Sequence, residues 1–128
     1  MAGTRFWRHS RRILDAWRRG FVTLVVSPTI LHEYRRVGEE LAAVHEGIDL
    51  SPFLSLLTVH AEIIDAPALP SPVCSDRDDD KFIACALAGR VSIVVSGDKA
   101  LLAVNGDRGV SVLRPREFLT RHLHGPTS

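Results

Sequence analysis

The sequence predicts a single α/β domain with a mainly parallel central sheet. At 128 residues the chain has room for one hydrophobic core. Short apolar runs alternate with amphipathic stretches, which is typical of β-strands joined by helical crossovers. Residues 21–26 and 91–95 are the clearest runs, β-branched and largely apolar, as expected of strands covered on both faces. No repeat or linker divides the chain, so residues 1–128 are taken as one domain.

The predicted elements begin with a helix over residues 11–19, which Gly20 ends as a C-cap. The strand over residues 21–26 follows. Ser27 and Pro28 then open a long helix, because a serine hydroxyl can accept from free amide groups and proline suits the first helical position. This helix extends to Val44 with Gly38 as a weak point, and residues 1–10 before the first helix form a basic arm.

Ser51 repeats the same start signal for a shorter helix that ends near Val59. A short strand is predicted over residues 61–65, and three prolines make residues 66–75 a loop. The remaining elements are a helix over 78–88, the strand over 91–95, a short helix after 96–98, a strand over 110–113, a helix from Pro115 and a flexible tail over 122–128.

Charge is balanced over the whole chain, with a formal net charge of +1, but it is unevenly distributed. Residues 76–80 contain an acidic run. The first twenty residues are strongly basic, and this segment either attracts phosphates or is a solvated terminus; the sequence leaves both readings open. Its arginines are Arg5, Arg8, Arg11, Arg12, Arg18 and Arg19.

Cysteine usage and hydropathy exclude several classes of protein. Cys74 and Cys85 lie too far apart for a CxxC motif, and Cys85 is expected to be a small core residue. No apolar run approaches the roughly 20 residues that span a bilayer. The basic N-terminus lacks the apolar segment of a signal peptide, so the expected location is the cytoplasm.

Three acidic residues are predicted to meet at one edge of the sheet. Glu33 lies in the second turn after the first strand, Asp98 directly follows the strand over 91–95, and Asp80 begins the helix that leads into that strand. Ligands of open parallel sheets bind at the carboxyl ends of the strands. Carboxylate clusters suit Mg²⁺ or Mn²⁺, which can orient a phosphodiester and activate a bound water.

Each of these acids also has a simpler interpretation. Glu33 alone would be a surface helix residue, and Asp80 alone would cap its helix. Asp98 in its Ser-Gly-Asp-Lys context would be a turn residue that caps the next helix.

Several segments together resemble the PIN domain family, over residues 11–120. The similarity is greatest to the branch of VapC-like toxin components of toxin–antitoxin systems, in which an acidic run opens a helix and a strand ends in Ser-Gly-Asp. The segments that carry the resemblance are 12–17, 26–34, 80–88, 93–98 and 114–118.

The resemblance implies a PIN-like, Rossmann-like three-layer fold and a metal-dependent ribonuclease. Glu33, Asp80 and Asp98 match the family's second, third and fourth acids, which implies that they are catalytic and bind Mg²⁺ or Mn²⁺. Ser96 occupies a position where a hydroxyl supports the site, and Asp79 is a supporting residue, with a shift by one residue left open. The implied partners are an RNA substrate, a cognate antitoxin protein and a second copy of the chain in a homodimer.

The family's first central strand and first catalytic aspartate are absent from the sequence. Residues 1–10 contain no apolar strand, and Asp15 lies within the first predicted helix. Either the natural start lies about 15 residues upstream, or the chain is a truncated member. The unpaired neighbouring strands would then need another partner for their backbone groups.

Two other functions compete with an active nuclease. A truncated PIN domain could serve only as a binding module for antitoxin or RNA. A nucleotide-binding or receiver-like domain is the other alternative, although neither GxGxxG nor GxxxxGK[ST] occurs.

Overall fold

The structure is a computed structural model that describes residues 4–47, 49 and 51–123. Helices and short strands alternate along the described chain, as the sequence predicts. None of these helices is both long and apolar enough to cross a membrane. The described elements are α1 (Thr4–Arg18), β1 (Val25–Val26), α2 (Pro28–Val44), α3 (Ser51–His60), β2 (Glu62–Ile63), α4 (Asp80–Ala88), β3 (Ile93–Val95), α5 (Lys99–Leu102), β4 (Ser111–Leu113) and α6 (Pro115–His122), with 3-10 turns at Arg77–Asp79 and Asp107–Gly109.

The predicted start of α2 is confirmed. The Ser27 side chain accepts a hydrogen bond of 3.2 Å from the backbone N–H of Ile30, and Pro28 occupies the first helical position. Ser27 is almost completely buried, so the cap satisfies an amide that would otherwise lack a partner. The same type of signal correctly predicted the start of α3 at Ser51.

The ends of several elements differ from the prediction. Helix α1 begins at Thr4, so residues 4–10 of the predicted basic arm are helical. At the other end α6 includes His122, and residues 124–128 of the predicted flexible tail lie outside the described residues. The strands are shorter than predicted, since only the last two residues of 21–26 and the last three of 91–95 pair with a neighbour.

The strands pair in parallel, as predicted, but they do not form one central sheet. Val25 and Val26 pair with Glu62 and Ile63, and β3 pairs separately with β4. No pairing joins β1 to β3 within the described residues. The expectation of a single sheet is therefore wrong for this chain, because each inner strand has a hydrogen-bonded neighbour on one side only.

A largely apolar cavity of about 660 Å³ lies between the two strand pairs. Residues 22–26 and 91–95 both line it, and α1 and α6 border it through Ile13, Leu14 and Phe118. Among the described residues that line it, Glu33 is the only charged one. The cavity thus lies where a strand between β1 and β3 would complete the sheet.

The buried core is divided in two, and α4 belongs to both parts. Ile83 and Ala86 pack in the cluster that covers β4, together with Val110 and Val112. Cys85, on another face of the same helix, packs in the second cluster with Val26 and Ile30. Both cysteines are buried and form no disulfide, and Cys85 is a small core residue as predicted.

Replacing Ile83 by alanine should destabilise the fold by about 2–5 kcal/mol, because Ile83 is 0% exposed and its removal leaves a void. Ile63→Ala is a matched control, since Ile63 is 43% exposed in β2 and its loss should cost under about 1 kcal/mol. Urea unfolding followed by circular dichroism measures both. Equal losses of unfolding free energy in the two variants would contradict the assignment of Ile83 to the core.

Candidate carboxylate site

Acidic side chains collect at the carboxyl edge of both strand pairs, as the sequence predicts. Glu33 lies on α2, which begins directly after β1. Asp98 is the N-cap of α5, which follows β3, and the run Asp78–Asp79–Asp80 leads from a 3-10 turn into α4. The ion pair of Glu33 with Lys81 and the interaction of Asp79 with Asp98 place all three groups at the same edge.

The most unusual group at this edge is the carboxyl of Asp79. Its Oδ2 atom is buried and has no hydrogen-bond partner among the described residues. Burial, followed by the neighbouring carboxyl of Asp98, raises the pKa of Asp79 to about 7. Burial and the neighbouring carboxyl both disfavour the charged form, so Asp79 is partly protonated near neutral pH.

Asp80 has a different environment. Its Oδ1 accepts hydrogen bonds from the backbone N–H groups of Cys74 at 2.7 Å and Val73 at 3.3 Å, and Oδ2 accepts from Val73 at 3.3 Å. The amide of Cys74 is the main reason that the pKa of Asp80 is lowered. Asp80 therefore attaches the proline-rich loop to the start of α4.

Glu33 is held by an ion pair. The ammonium of Lys81 donates to Oε1 of Glu33 and to Oδ2 of Asp78, the latter at 3.0 Å. Desolvation opposes the charge of Lys81, but the hydrogen bonds and charges of Glu33 and Asp78 outweigh it and raise the pKa of the ammonium. Lys81 and Glu33 are largely buried, so this pair is screened far less than a surface ion pair.

Ser96 supports the position of Asp98 through the backbone. Its Oγ accepts a hydrogen bond of 3.0 Å from the Asp98 N–H, and Oδ1 of Asp98 accepts one of 3.2 Å from Ala100. The turn after β3 thus fixes the carboxyl group that faces Asp79. The supporting role of Ser96 in catalysis stays a prediction.

The three acids predicted as metal ligands lie at the same edge but do not converge on one point. Glu33 faces Lys81 and lies beside Asp78, Asp80 faces loop amides, and Asp98 faces the carboxyl of Asp79. Within residues 4–47, 49 and 51–123, no group of three or more His, Cys, Asp or Glu side chains could hold a metal ion. Sequence analysis also missed Lys81, whose spacing of three residues from Asp78 was the available signal.

The Asp79–Asp98 pair nevertheless has the donor chemistry of a divalent cation site. Mg²⁺ and Mn²⁺ prefer oxygen ligands, and Mg²⁺ is commonly bound by one or two carboxylates together with water and substrate phosphates. The Oδ2 atom of Asp79, which has no hydrogen-bond partner among the described residues, is an oxygen that could bind a cation. The residues present therefore fit such an ion, with Asp79 and Asp98 as its protein ligands.

Parallel strand pairs that alternate with helices, with carboxylates at the carboxyl ends of the strands, define an α/β domain with a candidate site at that edge. The family model of the PIN domain matches residues 2–100, which include every acid described above. The chain belongs to the PIN domain family. PIN domains are generally nucleases and generally use divalent metal ions.

No match was found among curated proteins or among solved structures.

Replacing Asp79 by asparagine should flatten the pH dependence of stability between about pH 4 and 7. An unfolded aspartate titrates near about 3.9, whereas folded Asp79 titrates at about 7. Because the native state binds the extra proton between these values, the stabilisation is complete below the lower pKa and is lost as pH rises through the upper one. Urea unfolding at about pH 5 and about pH 8 in EDTA measures this difference.

Asp107→Asn is the control for this experiment, because Asp107 is an exposed loop acid that pairs with Arg108. It should retain the pH dependence of the unaltered chain. An Asp79→Asn variant that also retains the full dependence would show that Asp79 is ionised normally.

Proposed function

We propose that this chain is a metal-dependent endoribonuclease and the toxin of a toxin–antitoxin pair. The observation that carries the nuclease assignment is the buried, unpartnered Oδ2 of Asp79 beside the carboxyl of Asp98. The match to the PIN domain family supports the reaction class. The toxin role rests on the resemblance of the segments 80–88 and 93–98 to toxin components.

Asp79 and Asp98 would hold a Mg²⁺ or Mn²⁺ ion. When bound, the ion would supply the charge that neutralises a phosphodiester and lowers the pKa of an attacking water. Asp79 must lose its proton to bind the ion, so cation affinity should increase as pH rises through 7. Ser96 holds the backbone of Asp98, and Asp80 holds the start of α4, so both ligands are positioned before substrate arrives.

Lys81 has a further part in this proposal. It neutralises Glu33 and Asp78, which reduces the negative charge that an approaching phosphate meets at this edge. If Lys81 moves to a substrate phosphate, Glu33 is released and can extend the donor set. Glu33 thus keeps the catalytic role implied by its position, but only after this exchange of partners.

The proposed partners are RNA, an antitoxin protein and a second copy of the chain. Exposed apolar side chains on α2 and α3, Val44 and Val59, support a protein-binding surface there. Sedimentation equilibrium tests the homodimer, and a purely monomeric distribution at high concentration would contradict it.

A second candidate function is a binding module that recognises RNA or antitoxin without cleavage. Two observations favour it: the acids do not form a group of three or more ligands within the described residues, and a cavity separates β1 from β3. An apolar strand in that cavity would pair with both inner strands, and an aspartate at its end would lie at the carboxyl edge.

RNA cleavage in Mn²⁺ should fall by more than about tenfold when Asp98 is replaced by asparagine, because the cation loses one of two charged ligands. Cleavage of a fluorescent RNA measures this, with Asp107→Asn as the matched control. Loss of activity in both variants, or in neither, would contradict the assigned site.

A parallel arm of this assay uses a version extended at its N-terminus by an apolar strand that ends in an aspartate. Cleavage by the extended version alone would establish that the strand is needed. If neither version cuts with any divalent metal, the nuclease assignment is wrong, and RNA binding by the unextended chain would then support the binding module.

A further inference from the structure

The positive charge of this chain is concentrated on two helices. Helices α1 and α6, with the adjoining Arg19 and Arg114, contain nine of the 16 Lys and Arg residues but two of the 15 Asp and Glu residues. The rest of the chain therefore has seven basic and thirteen acidic residues. Although the formal net charge is only +1, positive charge is concentrated on these two helices and negative charge on the rest of the chain.

The two helices pack against each other and form one surface. Their apolar side chains Ile13, Leu14 and Phe118 point to the cavity, and Trp17 is buried. The described arginines of the two helices consequently lie on the outer side, and a spacing of seven residues places Arg11 and Arg18 on one face of α1. The exposed arginines of this α1–α6 basic surface are Arg11, Arg12, Arg18, Arg19, Arg114, Arg116 and Arg121.

Few of these charges are neutralised locally. Asp15 pairs with Arg19 at 3.4 Å and Glu117 pairs with Arg121 at 3.8 Å, which accounts for both acids of the two helices. The other exposed arginines of the surface form no ion pair with any residue that the structure describes. Unpaired guanidinium groups that are fixed on adjacent helices are well suited to bind phosphates.

The basic surface begins at the carboxylate site. Leu113 pairs with Val95, and its carbonyl accepts a hydrogen bond of 2.9 Å from the Ser96 N–H. Arg114 follows Leu113 directly and thus lies at the same edge as Ser96 and Asp98. Helix α6 begins at this edge, directly after β4, and α1 ends before the start of β1, at the opposite edge. The basic surface therefore extends from the carboxylates along the two helices towards the opposite edge.

We propose that the α1–α6 basic surface binds the phosphate backbone of single-stranded RNA and leads it to the Asp79–Asp98 pair. The choice of RNA rests on the proposed nuclease function, whereas binding of a polyanion follows from the charge alone. Arginine–phosphate contacts position a nucleic acid without reading its sequence. The contacts release counterions, so the affinity should fall steeply as salt concentration rises.

The test measures binding of a fluorescent single-stranded RNA by anisotropy in EDTA, so that no cleavage occurs. The Arg12→Gln/Arg116→Gln variant should bind about tenfold more weakly at about 50 mM salt, and the slope of log affinity against log salt should become shallower by about 1.4, which corresponds to two lost phosphate contacts. Arg12→Lys/Arg116→Lys should retain most of the binding, which excludes unfolding as the cause.

The matched control is Arg35→Gln/Arg90→Gln, which removes the same charge from exposed positions outside the surface. If the control variant loses as much RNA affinity as the Arg12/Arg116 variant, the loss is explained by the change in net charge alone, and the inference is overturned. Unchanged RNA binding by the Arg12/Arg116 variant, or binding to anionic lipid vesicles but not to RNA, would also overturn it. RNA binding that depends on these arginines, with no cleavage by either the chain or its extended version in any divalent metal, would support this surface and refute the nuclease. Cleavage of RNA whose binding does not depend on these arginines would support the nuclease and refute this surface.

Discussion

The hydrogen bonds from the amides of Val73 and Cys74 to Asp80 determine the geometry of the candidate site. They fix one of three consecutive acids to the proline-rich loop. Because successive residues of a helical turn point about 100° apart, Asp79 is then directed to Asp98 and Asp78 to Lys81. The fixed position of Asp80 therefore gives Asp78 and Asp79 different partners.

Asp78 and Asp79 have different electrostatic environments. Asp78 and Glu33 share the cation of Lys81, which lowers the pKa of Asp78. Asp79 has no such cation in contact, and burial beside Asp98 stabilises its protonated form. Two adjacent residues of the same type thus differ in protonation near neutral pH, a situation that is characteristic of functional sites.

Sequence analysis predicted the order of the elements and the edge at which the acids meet, because strand and cap signals are local. The cap at Ser27 and the start of α3 at Ser51 are examples, since each depends on residues within one turn. It could not decide between Asp79 and Asp80, because the direction of a side chain depends on loop amides six and seven residues away in sequence. It also could not predict the separation of β1 from β3, which arises from the absence of a central neighbour rather than from the strands themselves.

Helix α4 has a consequence for how the chain folds. It supplies Ile83 and Ala86 to one buried cluster and Cys85 to the other, and Phe82 touches both. Both buried clusters contain side chains of α4, although no strand pairing connects the two halves among the described residues. This nine-residue helix, together with the packing of α1 against α6, therefore couples the two halves, and α4 is where we expect the folding nucleus to form.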